Sequence, residues 1–333
     1  MFIFGLKDMK LDIALDMMEN LDDDQPAVKF EKIKKTVRSG AERQPASAAQ
    51  FIRTQDDSRQ SFEFTYRASR HELGWLLTSL GGFYERGWIS DILRMVKGGK
   101  EASVYQCACG QAVQAPFLAA KVFRPRQFRN LKKDHLYRLD REVLDEVGNR
   151  IVDLGMLKAQ RKRSVYGEQI RHQSWLAHEF QALKTLHTAG ADVPQPYEMG
   201  ENAILMGFIG DELLAAPTLN TVRLKRGEAK PLFERILHNV ALMLDNDIVH
   251  ADFSAYNILY WQGEITLIDF PQVISPGRHR SGYQIFSRDM TRLCEYFNHQ
   301  GLRTDPDRLA ADLWQAHGYP LKTELHPDLL EGD

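Results

Sequence analysis

The spacing of apolar residues divides the chain into a weakly patterned beginning and a strongly patterned remainder. Between Asp22 and about Gln60 the residues are polar, rich in Gln, Ser, Ala and Arg, and follow no sustained period. Such a composition predicts a linker or a loosely ordered segment. From Ser69 onward, apolar residues recur at helical spacing between Leu73 and Leu80, and the pair Gly81-Gly82 is expected to end this helix.

Strand and helix signals then alternate through the middle of the chain. Two strand-like runs flank a glycine-containing turn, DILRMVKGGKEASVYQCACG at residues 91–110 and APFLAAKVFRP at 115–125. A long polar and basic stretch follows, and it is predicted to be helical around residues 136–157. An amphipathic helix is then predicted over SWLAHEFQALKTLHTAG, with Gly190 as its C-terminal stop.

The C-terminal half opens with a buried strand and continues mostly as helix. The run AILMGFIGDEL predicts the strand, PLFERILHNVALMLDND predicts a long helix with proline in its first turn, and ILY with ITLI predict a hairpin around Gln262-Gly263. Residues from Tyr283 to about His317 are expected to be helical. The sum is an α+β protein with a β-rich half, a hinge near Met206–Gly210 and a mostly helical half.

Composition and charge exclude several classes of protein without identifying one. The 333 residues carry a formal net charge of -2, with 43% hydrophobic and 26% charged residues, as in ordinary soluble globular proteins. Three cysteines give no disulfide framework, which indicates a reducing cytosol, and no further ligands complete a zinc site with Cys107-x-Cys109. No apolar stretch approaches the roughly 20 residues of a membrane helix, so a cytoplasmic protein without membrane contacts is expected.

The strongest chemical signal is the motif HADxxxxN at residues 250–257, followed by IDF at 268–270. Phosphoryl transfer depends on positioning and charge neutralisation, which calls for a carboxylate to orient the attacking group and for oxygen ligands to magnesium. Asp252 fits the first role, and Asn257 and Asp269 fit the second. Alternatively, Asp252 and Asn257 each stabilise a turn through hydrogen bonds to the backbone, but the ordered trio around a hairpin favours the functional interpretation.

Two further polar residues precede this trio in an order that supports it. Lys121 stands in the apolar strand FLAAKVF, where its ammonium is able to meet the α- and β-phosphates of ATP, and Glu179 in the helix AHEFQAL is able to pair with it. As single residues, a snorkelling strand lysine and a solvated helix glutamate are equally good interpretations. The turn KGGKEASVY offers backbone N–H groups, lysines and the Ser103 hydroxyl to phosphate, although such glycines more often mark a surface turn.

Together these segments resemble the RIO family of atypical serine/threonine protein kinases. GGKEASVY is similar to the family's phosphate loop, whose usual form is STGKEAxVY, AAKVF to its lysine strand, and WLAHEFQALKTLHTAGADVPQP to its long helix and proline turn. ILMGFIGDE resembles the hinge, and VHADFSAYNIL and LIDFPQ resemble the catalytic and metal loops. The similarity covers roughly Met95 to His299, and its one departure is Lys97-Gly98 in place of the loop's Ser-Thr opening.

The resemblance implies a bilobal protein-kinase-like fold that binds ATP and Mg²⁺. It implies Asp252 as catalytic base, Asn257 and Asp269 as magnesium ligands, and Lys121 with Glu179 as the pair that positions phosphate. The remaining nucleotide contacts that it implies are Lys100 and Ser103 over the phosphates, and Met206, Phe208 and Ile209 along the adenine slot.

A basic insert at about residues 124–172 divides the expected N-lobe of 69–205, which lies between a partly disordered N-terminal extension at 1–68 and a C-lobe at 206–333. Its first cluster contains Lys121, Arg124, Arg126, Arg129, Lys132 and Lys133, and its second contains Lys158, Arg161, Lys162 and Arg163. Beside an ATP site, such clusters suit the phosphates of ribosomal RNA or a ribosomal particle, although a solvated flexible loop is the alternative. The RIO family carries an autophosphorylated flexible loop here, and the resemblance makes Ser164 a candidate site.

Four functions are compatible with these motifs. A serine/threonine protein kinase with autophosphorylation comes first, and an ATPase-driven conformational switch that binds ribosomal precursor particles is the main alternative. The chain lacks a long activation segment and an APE element after Asp269, and this absence of the usual peptide platform favours the switch. A small-molecule kinase of the aminoglycoside or choline type conflicts with GGKEASVY and LIDFPQ, and a nucleotide-binding module without catalysis conflicts with the complete set of polar motif residues.

Overall fold

The computed structural model describes residues 62–124, 142–145, 148–161, 164–225 and 227–321. Almost all of the expected N-terminal extension lies outside these residues. Seven cations of the basic insert, or their side chains, also lie outside them: Arg126, Arg129, Lys132, Lys133, Arg161, Lys162 and Arg163.

The described helices and strands follow the order that the sequence predicts. The helices are α1 (Arg70–Glu85), α2 (Leu154–Arg161), α3 (Val165–Thr188), α4 (Ala229–Asp245), α5 (Gly282–His299) and α6 (Pro306–Ala316). The strands are β1 (Ile89–Gly98), β2 (Ala102–Cys109), β3 (Phe117–Phe123), β4 (Pro196–Met199), β5 (Ala203–Gly207), β6 (Ile258–Trp261) and β7 (Glu264–Leu267).

The smaller lobe is an antiparallel sheet in the order β1-β2-β3-β5-β4, with α1 packed against one face. Because side chains alternate between the faces of a strand, Leu118 and Ala120 of β3 join Leu80 and Phe83 of α1 in a buried core. Lys121, the residue after Ala120, pairs with Val104 of β2 and Ile204 of β5 and belongs to the opposite face. The Lys121 side chain therefore lies on the face of the sheet opposite the core formed with α1.

Helix α1 does not end at Gly81-Gly82 as the sequence predicts. It begins at a capping box, in which Ser69 accepts from the backbone of Glu72 and Glu72 accepts in return, and it continues through both glycines. Each glycine inside a helix costs about 1 kcal/mol relative to alanine. Burial of Leu80 and Phe83 outweighs this cost, since a fully buried large apolar side chain contributes about 1.5–3 kcal/mol.

The described part of the insert differs from the helix predicted at 136–157. Leu144 and Arg150 form an isolated antiparallel bridge, and Gly148 between them has φ 88°, a left-handed conformation that favours glycine. Helical structure begins only with α2. Helix α3, by contrast, is the predicted amphipathic helix, with Ser164 as its N-cap and Gly190, at φ 81°, just after its end.

Strand β4 is an element that the sequence analysis did not predict. It lies at the edge of the sheet beside β5, and Pro196 occupies its first position. Proline is tolerated there because its missing N–H removes no hydrogen bond from the centre of the sheet.

The larger lobe is helical and encloses the β6-β7 hairpin, whose turn residues Gln262 and Gly263 both have positive φ. Ile236 of α4, Met290 of α5 and Ile258 of β6 are fully buried in its core. The two lobes confirm the predicted α+β, bilobal protein-kinase-like fold, while the domain bounds given above stay a prediction. Among the helices within the described ranges, none is both long and apolar enough to cross a membrane.

A polar cluster fixes the turn after α3 to the larger lobe. Arg235 of α4 donates from Nε and Nη2 to the two carboxylate oxygens of Asp192, at 2.5 and 2.6 Å. Asn239, fully buried, donates to the same carboxylate at 2.7 Å and accepts from the backbone N–H of Asp192 at 2.6 Å. The carbonyl of Asp192 accepts from the N–H of Leu267 at the end of β7. The turn is thereby tied to the strand that leads into Asp269.

We expect Arg235→Ala to lower the free energy of unfolding by about 1–2 kcal/mol, because two charge-assisted hydrogen bonds are lost from a half-exposed pair. Lys230→Ala on the same helix is the matched control, since its ion pair with Glu234 is 75% and 63% exposed and its loss should change stability by less than about 0.5 kcal/mol. Urea denaturation measures both variants. Equal effects would show that the Asp192 cluster does not stabilise the fold.

Candidate active site

Lys121, Glu179 and Asp269 meet in one charged contact between the two lobes. The Lys121 ammonium donates to Glu179 Oε1 and to Asp269 Oδ1, the latter at 2.5 Å. Strand β3, helix α3 and the segment after β7 supply the three groups. Glu179 is 4% exposed, whereas the side chain of Asp269 is 43% exposed. The contact therefore has one enclosed carboxylate and one that solvent reaches.

Burial and charge act in opposite directions on this cluster. Desolvation lowers the pKa of Lys121, but the carboxylates of Asp269 and Glu179 outweigh it and raise that pKa above its ordinary value. Desolvation raises the pKa of Glu179, whose Oε2 has no hydrogen-bond partner among the described residues. Desolvation also acts to raise the pKa of Asp269, yet Lys121, His250 and Lys97 lower it overall. A charged ammonium and a charged carboxylate therefore stand side by side at neutral pH.

Asp252 and Asn257 form the second polar pair of the site. Asn257 Nδ2 donates to the Asp252 carbonyl at 2.8 Å and approaches Asp252 Oδ2 at 3.3 Å. A short 3₁₀ turn, Ala255–Asn257, brings the two residues together. Asp252 Oδ1 accepts from Arg292 Nη1 of α5 at 3.1 Å, and the Asp252 side chain remains 46% exposed. The carboxylate expected to act as base is thus accessible and paired.

His250 joins the two acidic loops. Its Nε2 lies 3.1 Å from the carbonyl oxygen of Ile268, so the proton of the neutral ring sits on Nε2 and is donated there. The ring packs against Phe253 and Phe270, with centroids 5.4 and 5.0 Å away. Burial lowers the pKa of His250, which keeps the ring neutral at pH 7. The predicted catalytic and metal loops are therefore held to each other by an uncharged side chain.

Two residues of the site adopt left-handed backbone conformations without being glycine. Ala251 has φ 65° and Asp269 has φ 73°, and such conformations cost about 1–3 kcal/mol each. Helix α5 supports the first, because Arg288 Nη2 donates to the Ala251 carbonyl at 2.6 Å. Asp289, 2% exposed, accepts from the backbone of Phe253, and burial raises the pKa of Asp289 to about 7. The strained loop therefore rests on side chains of α5.

The turn between β1 and β2 and the start of β2 contain the residues that the sequence predicts to lie over the phosphates. The N–H of Gly99 donates to the Ala102 carbonyl at 2.9 Å, and a Cβ on Gly99 would lie 2.8 Å from that same oxygen, so glycine is required there. Lys100 is exposed, whereas Ser103 is 1% exposed and its hydroxyl accepts from Arg124 Nη2 at 3.5 Å. Of the two side chains expected over the phosphates, Lys100 is the one that the structure presents to solvent.

The residues expected along the adenine slot lie on the connection between the lobes. Met206 belongs to β5, and Phe208 and Ile209 follow it, all three half-buried. Phe208 packs edge-on against Phe117 of β3, with ring centroids 6.1 Å apart. The Ile209 carbonyl accepts from the N–H of Ala216, which closes the turn after the connection.

The buried side-chain amide of Gln106 links strand β2 to the turn after the connection between the lobes. Gln106 of β2 is fully buried, accepts from Arg94 Nε at 2.6 Å and donates to the Asp211 carbonyl at 3.1 Å. Arg94 Nη1 also donates to the Leu213 carbonyl at 2.6 Å. The outer edge of the cleft is thus bridged by two side chains of the smaller lobe.

Sequence reasoning missed the contacts of Arg94, Gln106, Arg288 and Arg292. The spacing of Arg288 and Arg292 places both on one helix face, which is a readable signal. Nothing in the sequence tells which loop that face meets. Arg94 and Gln106, which also contact each other, carry no signal for their bonds to the carbonyls of Leu213 and Asp211, because those carbonyls lie more than 100 residues away.

The oxygen atoms of Asp269 and Asn257 suit a magnesium ion. Asp269 uses Oδ1 for Lys121, which leaves its second oxygen available on a half-exposed side chain. Asn257 donates from Nδ2, and no described residue donates to its Oδ1. Magnesium takes hard oxygen ligands and usually completes its shell with phosphate and water. Within the described ranges no group of three or more His, Cys, Asp and Glu side chains forms a metal site.

Comparison with known proteins gives one family. The RIO domain family matches residues 104–309, more than half of the chain. The RIO-type serine/threonine-protein kinase Rio1 of Thermoplasma acidophilum is 29% identical over 135 residues, which cover 40% of this chain and 69% of that protein. The serine/threonine-protein kinase RIO1 of Chaetomium thermophilum is 28% identical over 241 residues, which cover 67% and 42%. The human RIO1 kinase is 26% identical over 217 residues, covering 64% and 34%. The chain thus spans less than half the length of these two eukaryotic relatives.

A solved structure shares the fold. The crystal structure of the Rio2 kinase-ADP/Mg²⁺-phosphoaspartate complex from Chaetomium thermophilum superposes with a TM-score of 0.50 at 18% identity, covering 73% of this chain and 66% of that chain. At this identity the likeness concerns the architecture, and it agrees with the two-lobed fold described above.

Removal of the Lys121 ammonium should leave Glu179 buried without its cation. We expect Lys121→Met to lower the free energy of unfolding by about 3 kcal/mol, the scale for breaking a buried ion pair. The double variant Lys121→Met/Glu179→Met should recover at least half of that loss, because it leaves no charge enclosed. Urea denaturation at pH 7 measures both, with Lys184→Met, an exposed lysine of α3, as the control. Equal losses in the single and double variants would contradict the buried-charge account.

Proposed function

This chain belongs to the RIO domain family, and from that premise we propose that it is an ATP- and magnesium-dependent phosphotransferase that acts on serine or threonine hydroxyls. The observation that carries the proposal is the contact of Lys121 with Glu179 and Asp269, joined through His250 to the pair of Asp252 and Asn257. A cation, three carboxylates, an imidazole and an amide converge where the two lobes meet, and they come from four segments: β3, α3, the loop at 250–257 and the segment after β7.

The proposed nucleotide site uses the smaller lobe and the connection between the lobes. Lys121 donates to the α- and β-phosphates, and Glu179 keeps its ammonium in place by the buried ion pair. Lys100 contributes a second cation from the exposed turn, and Ser103 reaches the phosphates only if its contact with Arg124 changes. The adenine occupies the slot beside the half-buried side chains of Met206, Phe208 and Ile209.

The proposed metal ligands are Asn257 Oδ1 and the second carboxylate oxygen of Asp269. When bound, magnesium neutralises charge on the phosphates and holds them in line for transfer. The left-handed backbone of Asp269 and its contact with Lys121 fix the carboxylate at the cleft. His250 and its aromatic neighbours keep this carboxylate at a constant position relative to Asp252.

Asp252 is the proposed catalytic base. It accepts the proton of the attacking hydroxyl, whose oxygen bonds to the γ-phosphorus of ATP while the bond from that phosphorus to the ADP oxygen breaks. Asn257 orients the Asp252 carboxylate through Nδ2. Because Asp252 is half exposed, an acceptor reaches it from solvent without unfolding of the loop.

Further proposals concern the phosphorylation site, the binding partner and the cellular location of the protein. We propose autophosphorylation, with Ser164 as a candidate, since its side chain is exposed at the start of α3. The basic insert is the proposed contact with ribosomal RNA or a ribosomal particle, but most of its cations lie outside the described residues. A cytoplasmic location is the setting proposed for these partners.

A second candidate, an ATPase that drives a conformational switch, has one specific observation in its favour. Twelve residues separate Asp269 from α5, which begins at Gly282, and this loop is tied back to the segment before the catalytic loop by the Val249–Ile274 bridge. No long segment between them offers a peptide platform in this fully described part of the chain. Hydrolysis with water as acceptor would use the same Asp252.

Purified protein with Mg²⁺ and γ-labelled ATP decides between the two candidates. Replacing Asp252 by Ala should reduce the rate by about 10²–10⁴-fold, because the proton acceptor is lost. Stable label on serine or threonine would support the kinase, and phosphate release with little transfer would support the switch. Asp312→Ala, an exposed carboxylate of α6, is the control. Near-wild-type turnover of Asp252→Ala would contradict the assignment of the base.

The magnesium assignment predicts a change in nucleotide binding. Mg²⁺ should tighten binding of ADP to the wild type by about tenfold or more, and this effect should be largely lost in Asp269→Ala because a carboxylate ligand is missing. Calorimetric titration of ADP with and without Mg²⁺, at constant ionic strength, measures it. The same magnesium effect in wild type and Asp269→Ala would show that the ion binds elsewhere.

A further inference from the structure

Arg292 stands where the acceptor must arrive. Its Nη1 is 3.1 Å from Asp252 Oδ1, and the two side chains are 43% and 46% exposed. A guanidinium has five N–H donors, and within the described residues Asp252 is the acceptor that Arg292 meets. Several donors of Arg292 are therefore available at the mouth of the site.

An acceptor hydroxyl needs a free lone pair of the Asp252 carboxylate, which has about four such sites and already has two neighbouring donors. Arg292 contacts Oδ1 and Asn257 approaches Oδ2. Asn257 is 7% exposed and also holds the Asp252 carbonyl, so its displacement would disrupt the loop. An ion pair between exposed side chains, by contrast, shifts an equilibrium by no more than about fivefold. The hydroxyl therefore binds on the Oδ1 side, beside Arg292 or in its place.

In either case the Arg292 guanidinium stays close to the acceptor, because α5 is fixed against the catalytic loop. Arg288, one turn earlier, donates to the Ala251 carbonyl, and Asp289 is buried against the backbone of Phe253. A neutral acceptor leaves the Arg292 charge without an anion. An acceptor with a carboxylate beside its hydroxyl gives the guanidinium a new partner, and Arg is suited to bind carboxylate.

The local charge agrees with this exchange. Between residues 273 and 294 the chain carries four arginines and one acid, although its overall net charge is -2. The acid is Asp289, which is buried, while Arg278 and Arg280 are exposed on the loop that leads into α5. Arg278 contacts Glu142 at 3.5 Å, so the cationic character of this surface rests mainly on Arg280 and Arg292.

We propose that Arg292 determines acceptor specificity by selecting serine or threonine side chains flanked by acidic residues. The inference rests on the proposed function and adds the substrate class, an acidic peptide segment. The phosphates of RNA are the competing anions, but binding to a nucleic acid strand uses several cations in a row, whereas one guanidinium beside the proton acceptor suits one carboxylate.

Peptide binding tests the proposal without depending on turnover. Three fluorescein-labelled serine peptides, flanked by Glu, Gln or Lys, are titrated with the full chain in Mg²⁺ and ADP, and fluorescence anisotropy gives each Kd. For the wild type we expect the Glu-flanked peptide to bind about fivefold tighter than the Gln-flanked peptide. In Arg292→Gln the ratio should fall to about one, and Arg292→Lys should restore part of it.

Two variants guard against a merely structural effect. Arg308→Gln removes an exposed arginine from α6 and should keep the wild-type ratio. Arg292→Glu should shift the preference toward the Lys-flanked peptide, a reversal that partial unfolding would not produce. Equal binding of Glu- and Gln-flanked peptides by the wild type, or an unchanged ratio in Arg292→Gln, would overturn the proposal. So would Arg292-dependent binding of an RNA oligonucleotide without any preference among the peptides.

Label transfer from γ-labelled ATP separates this inference from the function on which it rests. Turnover that is lost in Asp252→Ala, together with equal binding of all peptides, would sustain the phosphotransferase and reject the acidic acceptor. Turnover that is the same in wild type and Asp252→Ala would reject the proposed catalytic function itself. With turnover intact, kcat/KM for the peptides should follow the order of their affinities in wild type and lose it in Arg292→Gln.

Discussion

The ion contact of Lys121 with Glu179 and Asp269 is the interaction on which the rest of the molecule depends. An ammonium loses stabilisation when it leaves water, and it is retained here because carboxylates from two other segments surround it. One carboxylate belongs to the smaller lobe and the other follows the hairpin of the larger lobe. The Lys121 ammonium is therefore a direct contact between the lobes, and the exposed side of Asp269 is the proposed position for a phosphate-bound metal.

Support for this contact comes from elements that carry no reacting group. The Asp192 cluster fixes the end of α3, and with it Glu179, to the strand before Asp269. Helix α5 supports the left-handed Ala251 through Arg288. A strained backbone conformation persists only where surrounding contacts hold it in place. Here the strained loop places Asp252 at the open side of the cleft. The same contacts that fix the loops in the interior also leave the carboxylates of Asp252 and Asp269 accessible to solvent.

The motifs of the sequence allowed prediction of the fold, the family and the residues that meet, but not of how they meet. Lys121, Glu179 and Asp269 stand in motifs, whereas the sharing of one ammonium by two carboxylates depends on tertiary packing. The predicted end of α1 at Gly81-Gly82 was wrong because the low helix propensity of glycine is outweighed by burial of Leu80 and Phe83. The helix predicted across Leu144 was wrong because the apolar residues of this polar stretch follow no strong period. The partner of Arg292 was not predictable, because Asp252 lies 40 residues away on another element.

Acylation by a reactive ATP tests the central claim most directly. In a biotin acyl-phosphate ester of ATP, the amine of a lysine near the phosphates attacks the acyl carbon, and the nucleotide leaves. Mass spectrometry of the labelled chain should find biotin on Lys121, with Lys100 as the second site, and excess ATP with Mg²⁺ should protect both. Labelling confined to other exposed lysines, with no protection by ATP, would contradict a nucleotide site built around Lys121.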